Sequence, residues 1–290
     1  LYIEYFLKIK KLKPGLYIIA TPIGNREDIS MRAINTLQDI DIIACEDTRH
    51  SSQLLSAFGI KKKLISLHQH NEKNKAVLIS NYIEDGKSIA YISDAGTPAI
   101  SDPGANLVDH MYNQGLYVSL IPGPSSVIAA FSVSGFQTNQ FQFYGFLPNT
   151  PGKCKKSLLD IYKSNITTVL FESPRRVVKT LKIIQEIFGD NHIIFIAREL
   201  TKVFESLYKG KVGALIEIID GNLDNQKGEF VLILSAVSKD NKEEPVALKD
   251  ALKKTLEELS LKQSVDIISS IYNMRKKEIY NLALEIKKNE

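Results

Sequence analysis

From Leu16 onward the chain alternates between two hydrophobic rhythms. Short, continuous apolar runs recur, and each is followed by a stretch whose apolar residues return at helical spacing. Leu16–Ala20, Asp41–Glu46, Lys63–Leu67, Ser88–Ile92 and Tyr117–Ile121 read as buried strands. Met31–Leu37, Gln53–Phe58, Lys73–Tyr82 and Ala105–Asn113 read as the helices between them. Ser30 is placed to cap the first helix, and Asp85-Gly86 closes the third. This βαβα order predicts a mainly parallel, doubly wound α/β sheet.

The character changes after Pro122. Val127–Ser134, Val177–Phe188 and Val212–Ile219 predict helices, and Phe141–Phe146, Thr167–Phe171, His192–Ala197 and Glu229–Ser235 predict strands. The expected organisation is an N-terminal extension over 1–14, an N-terminal α/β domain over 15–122, a second α/β domain over 123–238, and a linker with a helical tail over 239–290. In the tail, Leu248, Ala251, Leu252, Leu256 and Leu259 form one apolar stripe, and Ile279, Leu282 and Ile286 form another. Ser260 with Gln263 makes a capping box, and Asn273 is placed to cap the last helix. Three short helices with a tight middle turn predict a helix-turn-helix-like appendage. Such a bundle binds nucleic acid or merely packs, and the pattern does not choose between them.

Composition narrows the class. A hydrophobic share of 44% and a charged share of 24% are those of an ordinary soluble protein of 290 residues. No apolar run approaches the roughly 18 residues of a membrane span. Leu1–Leu7 is apolar, but lysines follow it rather than precede it, the wrong order for a secretory signal. The two cysteines, Cys45 and Cys154, lie far apart without CxxC spacing, so a cytoplasmic protein without disulfides or structural zinc is expected. The net charge of +4 is compatible with a polyanionic partner. For each basic cluster (Lys8–Lys11, Lys61–Lys63, Lys153–Lys156 and Arg175-Arg176) solvated side chains are the default reading.

Candidate chemistry concentrates in the turns. Ser93-Asp94-Ala95-Gly96-Thr97-Pro98-Ala99-Ile100-Ser101-Asp102-Pro103-Gly104 leaves a predicted strand, as do Thr21-Pro22-Ile23-Gly24-Asn25 and Pro122-Gly123-Pro124-Ser125-Ser126. Small residues at a strand's carboxyl end let a ligand approach the main chain, and that edge is where open α/β sheets bind ligands. None of the turns has a P-loop pattern, and no GxGxxG with a following acid follows the first strand. A compact, charged ligand gripped through backbone groups is the expectation, against plain β–α connections.

These turns resemble the signature turns of the tetrapyrrole methylase superfamily. Further marks are Cys45-Glu46-Asp47-Thr48-Arg49, His68-Gln69-His70-Asn71-Glu72, Phe143-Tyr144-Gly145-Phe146-Leu147-Pro148, Glu172-Ser173-Pro174-Arg175-Arg176, Ala197-Arg198-Glu199-Leu200-Thr201-Lys202 and Lys277–Leu284. Thr21-Pro22-Ile23-Gly24-Asn25 stands where tetrapyrrole-modifying members carry a GxGxGD-like run, which favours the branch that acts on ribosomal RNA. The resemblance implies S-adenosylmethionine bound between two α/β domains, with Pro22, Asp94, Ala95, Gly96, Ile100, Pro124, Ser125 and Ser126 as contacts. It implies 2′-O-methylation of the ribose of a decoding-centre cytidine in the 16S rRNA of the small ribosomal subunit, by a homodimer and without a metal.

A ribose hydroxyl is a poor nucleophile, so a group that takes or shares its proton is expected. Glu46, Asp47, Glu199 and Lys202 are candidates. Arg49, Arg198, Arg175 and Arg176 are candidate phosphate clamps, and His70 and Asn71 candidate contacts to base or sugar. Structural readings stand beside these. Glu46–Arg49 also suits a strand-end ion pair and helix cap, Arg198 and Glu199 suit internal ion pairs, and His68 with His70 suits a solvated pair. The 141–146 aromatics suit sheet core as well as base stacking. Two other functions also fit: methyl transfer to a tetrapyrrole or other small acceptor, and RNA binding without catalysis.

Overall fold

The structure, a computed structural model, describes residues 12–237, 246–272 and 274–288. It divides into two compact units, one running through Ser132 and including Glu199–Glu205, the other made of Val133–Arg198 and the chain from Ser206 onward.

The first unit carries a sheet of β1 (Gly15–Ile19), β2 (Ile42–Cys45), β3 (Lys63–Ser66), β4 (Ser88–Ile92) and β5 (Val118–Ile121). Its order is β3-β2-β4-β1-β5, with every neighbouring pair parallel. β1, β2 and β4 are buried on both faces and so read as continuous apolar runs, whereas the outer strands β3 and β5 are partly exposed. Alternate side chains feed two cores. Leu16, Ile18, Ile89 and Tyr91 pack with α3 (Glu72–Glu84) and α4 (Ala105–Asn113) through Ile79, Ile83, Leu107 and Met111. Tyr17, Ile19, Ala90 and Ile92 pack with α1 (Met31–Asp39) and α2 (Thr48–Ala57) through Ala33, Leu37 and Leu55. Ser30 caps α1 as expected, its hydroxyl accepting from the Ala33 amide at 3.1 Å. α2 starts at Thr48 rather than Gln53, because the Asp47 carboxylate caps it.

α5 (Ser126–Ser134) follows β5. The second unit has β6 (Phe141–Phe146), β7 (Thr167–Glu172), β8 (Ile193–Arg198), β9 (Ser206–Lys211) and β10 (Phe230–Leu234), ordered β6-β7-β10-β8-β9. Only β6 and β7 are parallel; the other pairs are antiparallel. α6 (Pro151–Ser164), α7 (Val177–Phe188) and α8 (Val212–Asp220) share one core with this sheet. The sequence pattern did not predict α6 or β9. The Pro151-Gly152 start of α6 looks like a turn, but Pro fits the first helical turn, where its missing N–H has no partner to lose. β9 alternates half-buried with exposed residues and includes lysines and a glycine, as an edge strand does.

The tail folds into α9 (Val246–Glu258), α10 (Leu261–Tyr272) and α11 (Lys276–Lys288) around Leu248, Leu252, Val265, Ile268, Ile279 and Leu282. The capping box forms: the Ser260 amide donates to Gln263 Oε1 at 3.2 Å, and the Gln263 amide to Ser260 Oγ at 3.4 Å. Asn273 and the 1–11 segment lie outside the described residues. Among the described residues no helix is long and apolar enough to cross a membrane.

Candidate active site

The strand order sets the site. β4, β1 and β5 are adjacent, so the three glycine- and proline-bearing turns leave neighbouring strands at one sheet edge. They are bonded to one another. The Thr21 amide donates to the Gly96 carbonyl at 2.9 Å, and the Gly96 amide returns the bond at 3.1 Å. Thr97 Oγ1 donates to the Pro124 carbonyl at 3.0 Å. Gly96 is left-handed at φ +78°, and a Cβ there would stand 3.2 Å from Ile23 Cγ2. A side chain would thus strain the turn and crowd its neighbour. Pro22 and Gly96 are buried, Pro124, Ser125 and Ser126 half-buried, and Ala95 and Ile100 exposed. Eight expected contacts therefore lie on three turns of one edge.

The same edge continues through β2 and β3. The Asp47 amide donates to Asp94 Oδ1 at 3.3 Å, joining the β2 and β4 turns. Burial pushes the Glu46 carboxyl above its usual range, and the Asp94 charge adds to the effect. Asp102 is pushed up to about 6 by burial, then by Glu46 and Asp94. Asp47 goes the other way, to about 2, because the Arg49 side chain and amide both donate to it. The neighbouring carboxyls Glu46 and Asp47 are thus driven apart in acidity. Pairs of this kind divide acid and base roles in active sites. The helix cap and the Arg49 ion pair that stood as the structural reading are both present, and Arg49 is 88% exposed at its side chain.

Beyond Gly96 the backbone is unusual. Ala99 and Ser101 have φ of 65° and 66°, a conformation that costs a residue with a side chain on the order of 1 kcal/mol or more. Glu72 and Tyr91 hold the far end of this loop. Glu72 is buried, and its Oε1 accepts from the Gly104 and Leu107 amides at 2.9 and 3.1 Å. Its Oε2 accepts from Asn106 Nδ2 at 2.9 Å, so a carboxylate from α3 caps α4. Tyr91 donates to the Pro103 carbonyl at 2.6 Å. Asp102 lies in the turn and Tyr91 in the strand that the sequence marked, but neither they nor Glu72 had been given a role. Glu72 lay within a quoted motif, but its partners are about 30 residues away (Glu72 to Gly104 is 32).

The segment Glu199–Glu205 joins this edge. Thr201 Oγ1 accepts from the Asn25 amide at 2.9 Å, and Lys202 Nζ pairs with Glu199 Oε1 at 2.9 Å. A Cβ on Gly24 would stand 2.6 Å from Lys202 Cγ and 2.7 Å from the Leu200 carbonyl oxygen, so this turn requires glycine. Glu46, Asp47, Arg49, Glu199, Lys202 and the eight cofactor candidates accordingly share one unit.

Three other candidates, Arg198, Arg176 and Asn71, are bonded within the fold. Arg198 is buried, with Nε donating to the Lys227 carbonyl at 2.7 Å and Nη2 to the Asp224 carbonyl at 2.6 Å. Arg176 donates to Asn149 Oδ1 and to the carbonyls of Leu147 and Pro148, and pairs with the enclosed Glu172 at 3.3 Å. Asn71 shapes the turn after β3: its Oδ1 accepts from the His68 amide at 2.9 Å and its Nδ2 donates to the Ser66 carbonyl at 3.2 Å. Arg175 and His70 are exposed. Among the described residues no three His, Cys, Asp or Glu side chains form a metal-holding group.

The fold is shared with solved tetrapyrrole-modifying methyltransferases. The cobalt precorrin-4 methyltransferase structure aligns with a TM-score of 0.57 at 19% identity, over 77% of this chain and 95% of that one. The uroporphyrin-III-C-methyltransferase from Thermus thermophilus gives a TM-score of 0.55 at 15% identity, over 77% and 95%. These likenesses show the fold. The family model of Tetrapyrrole (Corrin/Porphyrin) Methylases matches residues 15–216, and that of the RsmI C-terminal HTH domain matches residues 242–287. The Haemophilus influenzae ribosomal RNA small subunit methyltransferase I is 42% identical, over 93% of this chain and 96% of its own. The Vibrio cholerae protein of that name is 40% identical over 94% and 95%, and the Escherichia coli O157:H7 protein 37% over 93% and 94%. The chain belongs to the tetrapyrrole methylase family, in its ribosomal RNA small subunit methyltransferase I branch.

Proposed function

We propose that this protein methylates the ribose 2′-oxygen of a decoding-centre cytidine in 16S rRNA, taking the methyl group from S-adenosylmethionine. The reading places it in the cytoplasm as a homodimer acting on the small ribosomal subunit. The observation that carries it is the mutual locking of the β1, β4 and β5 turns, in a chain that matches ribosomal RNA methyltransferases along almost its whole length.

The residues present fit the cofactor. Gly96, Ala95 and Pro22 offer main chain without bulk, and Asp94, Ser125 and Ser126 offer polar anchors at the same edge. The bound cofactor supplies an electrophilic methyl group on a sulfonium centre, so this chain's task is to position the acceptor in line with it. Of the candidate proton acceptors Glu46 fits best, because burial raises its basicity while Asp47 is held too acidic and is committed to capping α2. Lys202, paired with Glu199, is placed to fix a phosphate or ribose oxygen near the first turn.

The test supplies labelled S-adenosylmethionine with naked ribosomal RNA, assembled small subunits, or porphyrin precursors. Label on a 2′-oxygen of 16S rRNA, located by mass spectrometry, is the expected result. Label in porphyrin alone refutes the reading. Cofactor binding without transfer to any acceptor would mark an RNA-binding protein that retains the fold.

A further inference from the structure

We propose that Val203 and Phe204 form an apolar tip that stacks on a nucleobase of the RNA substrate. The inference deepens the RNA-modifying reading above and rests on it. The segment Glu199–Glu205 connects β8 to β9 of the second sheet, yet it belongs to the first compact unit. Within it Glu199 and Thr201 are left-handed at φ 52° and 61°, a conformation that side chains disfavour. Local bonds fix this conformation. The Thr201 amide donates to Glu205 Oε2 at 2.7 Å, the Lys202 amide to the Glu199 carbonyl at 3.0 Å, and the Glu205 amide to the Lys202 carbonyl at 3.1 Å. The Asn25 bond and the tight seat on Gly24 anchor the segment to the first turn.

This held loop turns two large apolar side chains outward. Val203 is 94% exposed and Phe204 71% exposed. Exposed apolar residues at the end of a strained, anchored loop suit a partner that covers them on binding. The partner chemistry follows from size and place. Two side chains fall far short of the roughly 800 Å² per partner that a stable protein interface buries. One aromatic ring does match the face of one base. The tip also begins beside Lys202, a cation suited to the phosphate next to that base, and at the first turn of the proposed transfer edge. A ribose within stacked RNA is reached more readily once its base is splayed, and an inserted apolar side chain replaces part of the lost stacking.

The test compares wild type with Phe204→Ala, Val203→Ser and Phe204→Trp. Both positions are exposed, and urea midpoints and sedimentation check that each variant folds as wild type does. The probes are the small-subunit RNA in direct binding and in methyl transfer, and S-adenosylmethionine in calorimetry. Phe204→Ala is expected to weaken RNA binding about tenfold or more, Val203→Ser less, and Phe204→Trp to retain it. Cofactor affinity and sedimentation should not change. Unchanged RNA affinity in Phe204→Ala, or a loss of self-association instead, overturns the inference. RNA affinity and methyl transfer are read separately. Lost affinity supports the tip even if wild type transfers no methyl group, an outcome that would refute the proposed reaction alone.

Discussion

Two strand-to-helix turns of this protein have nearly the same chemistry and opposite fates. After β2 the chain reads Glu46-Asp47-Thr48-Arg49, and after β7 it reads Glu172-Ser173-Pro174-Arg175-Arg176. In the second turn the acid is consumed. Glu172 is fully enclosed and accepts from the Ser173 amide at 2.7 Å, from Thr180 Oγ1 at 2.6 Å and, in an ion pair, from Arg176 at 3.3 Å. In the first turn the acids meet more acid. Burial and then the Asp94 charge raise the proton affinity of Glu46, and burial followed by Glu46 and Asp94 raises that of Asp102. An acidic residue followed by arginine therefore does not define a role. The neighbouring strands do: around β7 they supply donors to one carboxylate, whereas β4 beside β2 supplies a further carboxylate.

The largest expected effect breaks the scaffold turn. Arg176→Ala leaves an enclosed carboxylate without its cation and should cost about 3 kcal/mol of stability, measured by urea unfolding. Turnover per folded molecule should stay within about twofold of wild type. A stable variant that fails on RNA would return Arg176 to the list of substrate contacts. At the other turn the effects should fall on chemistry. Glu46→Gln keeps the shape but removes the proton acceptor, and kcat should drop about a hundredfold with cofactor affinity unchanged. Asp94→Ala removes the acceptor for the Asp47 amide and a polar anchor of the central turn, so S-adenosylmethionine affinity should fall about tenfold by calorimetry. Full affinity in that variant would count against the cofactor placement.

How far the sequence foretold this contrast depends on the distance between partners. The parallel sheet was legible because its three inner strands, Ser88–Ile92 among them, are buried on both faces and so read as unbroken apolar runs. The three turns were legible because glycine and proline mark them locally. That they bind one another follows from the order β4-β1-β5, which no local pattern encodes. The fate of Arg176 was hidden for the same reason, since its carbonyl partners lie at 147 and 148, nearly thirty residues back. Glu72 stood in the His68–Glu72 family mark without a role of its own, yet it caps a helix that begins after an intervening strand. Edge strand β9 escaped because its half-exposed, lysine-bearing pattern lacks the apolar run of a central strand.

The acidic edge should also leave a mark on pH dependence. Asp102 has an ordinary value of 3.8 and is raised to about 6 in the folded protein. Between those values the folded state keeps a proton that the unfolded chain releases. Stability due to this group is therefore present at about pH 4 and lost as pH rises through about 6. Discounted for solvent screening at this partly exposed site, the change is on the order of 1 kcal/mol. Asp102→Asn should gain stability relative to wild type between pH 4.5 and 7, measured by urea midpoints at both values. Glu46 shifts in the same direction, so the single variant should flatten the window only in part. A difference that does not vary with pH would mean that Asp102 titrates as it does in the unfolded chain.

The smallest effect sharpens the comparison most. Arg49 and Arg176 both bond to a neighbouring acid, but Arg49 is almost wholly in solvent and pairs with a half-exposed partner, whereas Glu172 has no exposure at all. Exposed pairs of this kind contribute little to stability. Arg49→Ala should leave the urea midpoint unmoved, because the Asp47 carboxylate still accepts from the amide of residue 49 and still caps α2. Its effect should appear only against RNA. If Arg49 meets a phosphate, the slope of log affinity against log salt should become shallower by roughly 0.7 to 1, and affinity should fall uniformly across RNA sequences. A slope identical to wild type would assign Arg49 to the helix cap alone. The two turns would then differ in how deeply each pair is buried, and not in what the arginines do.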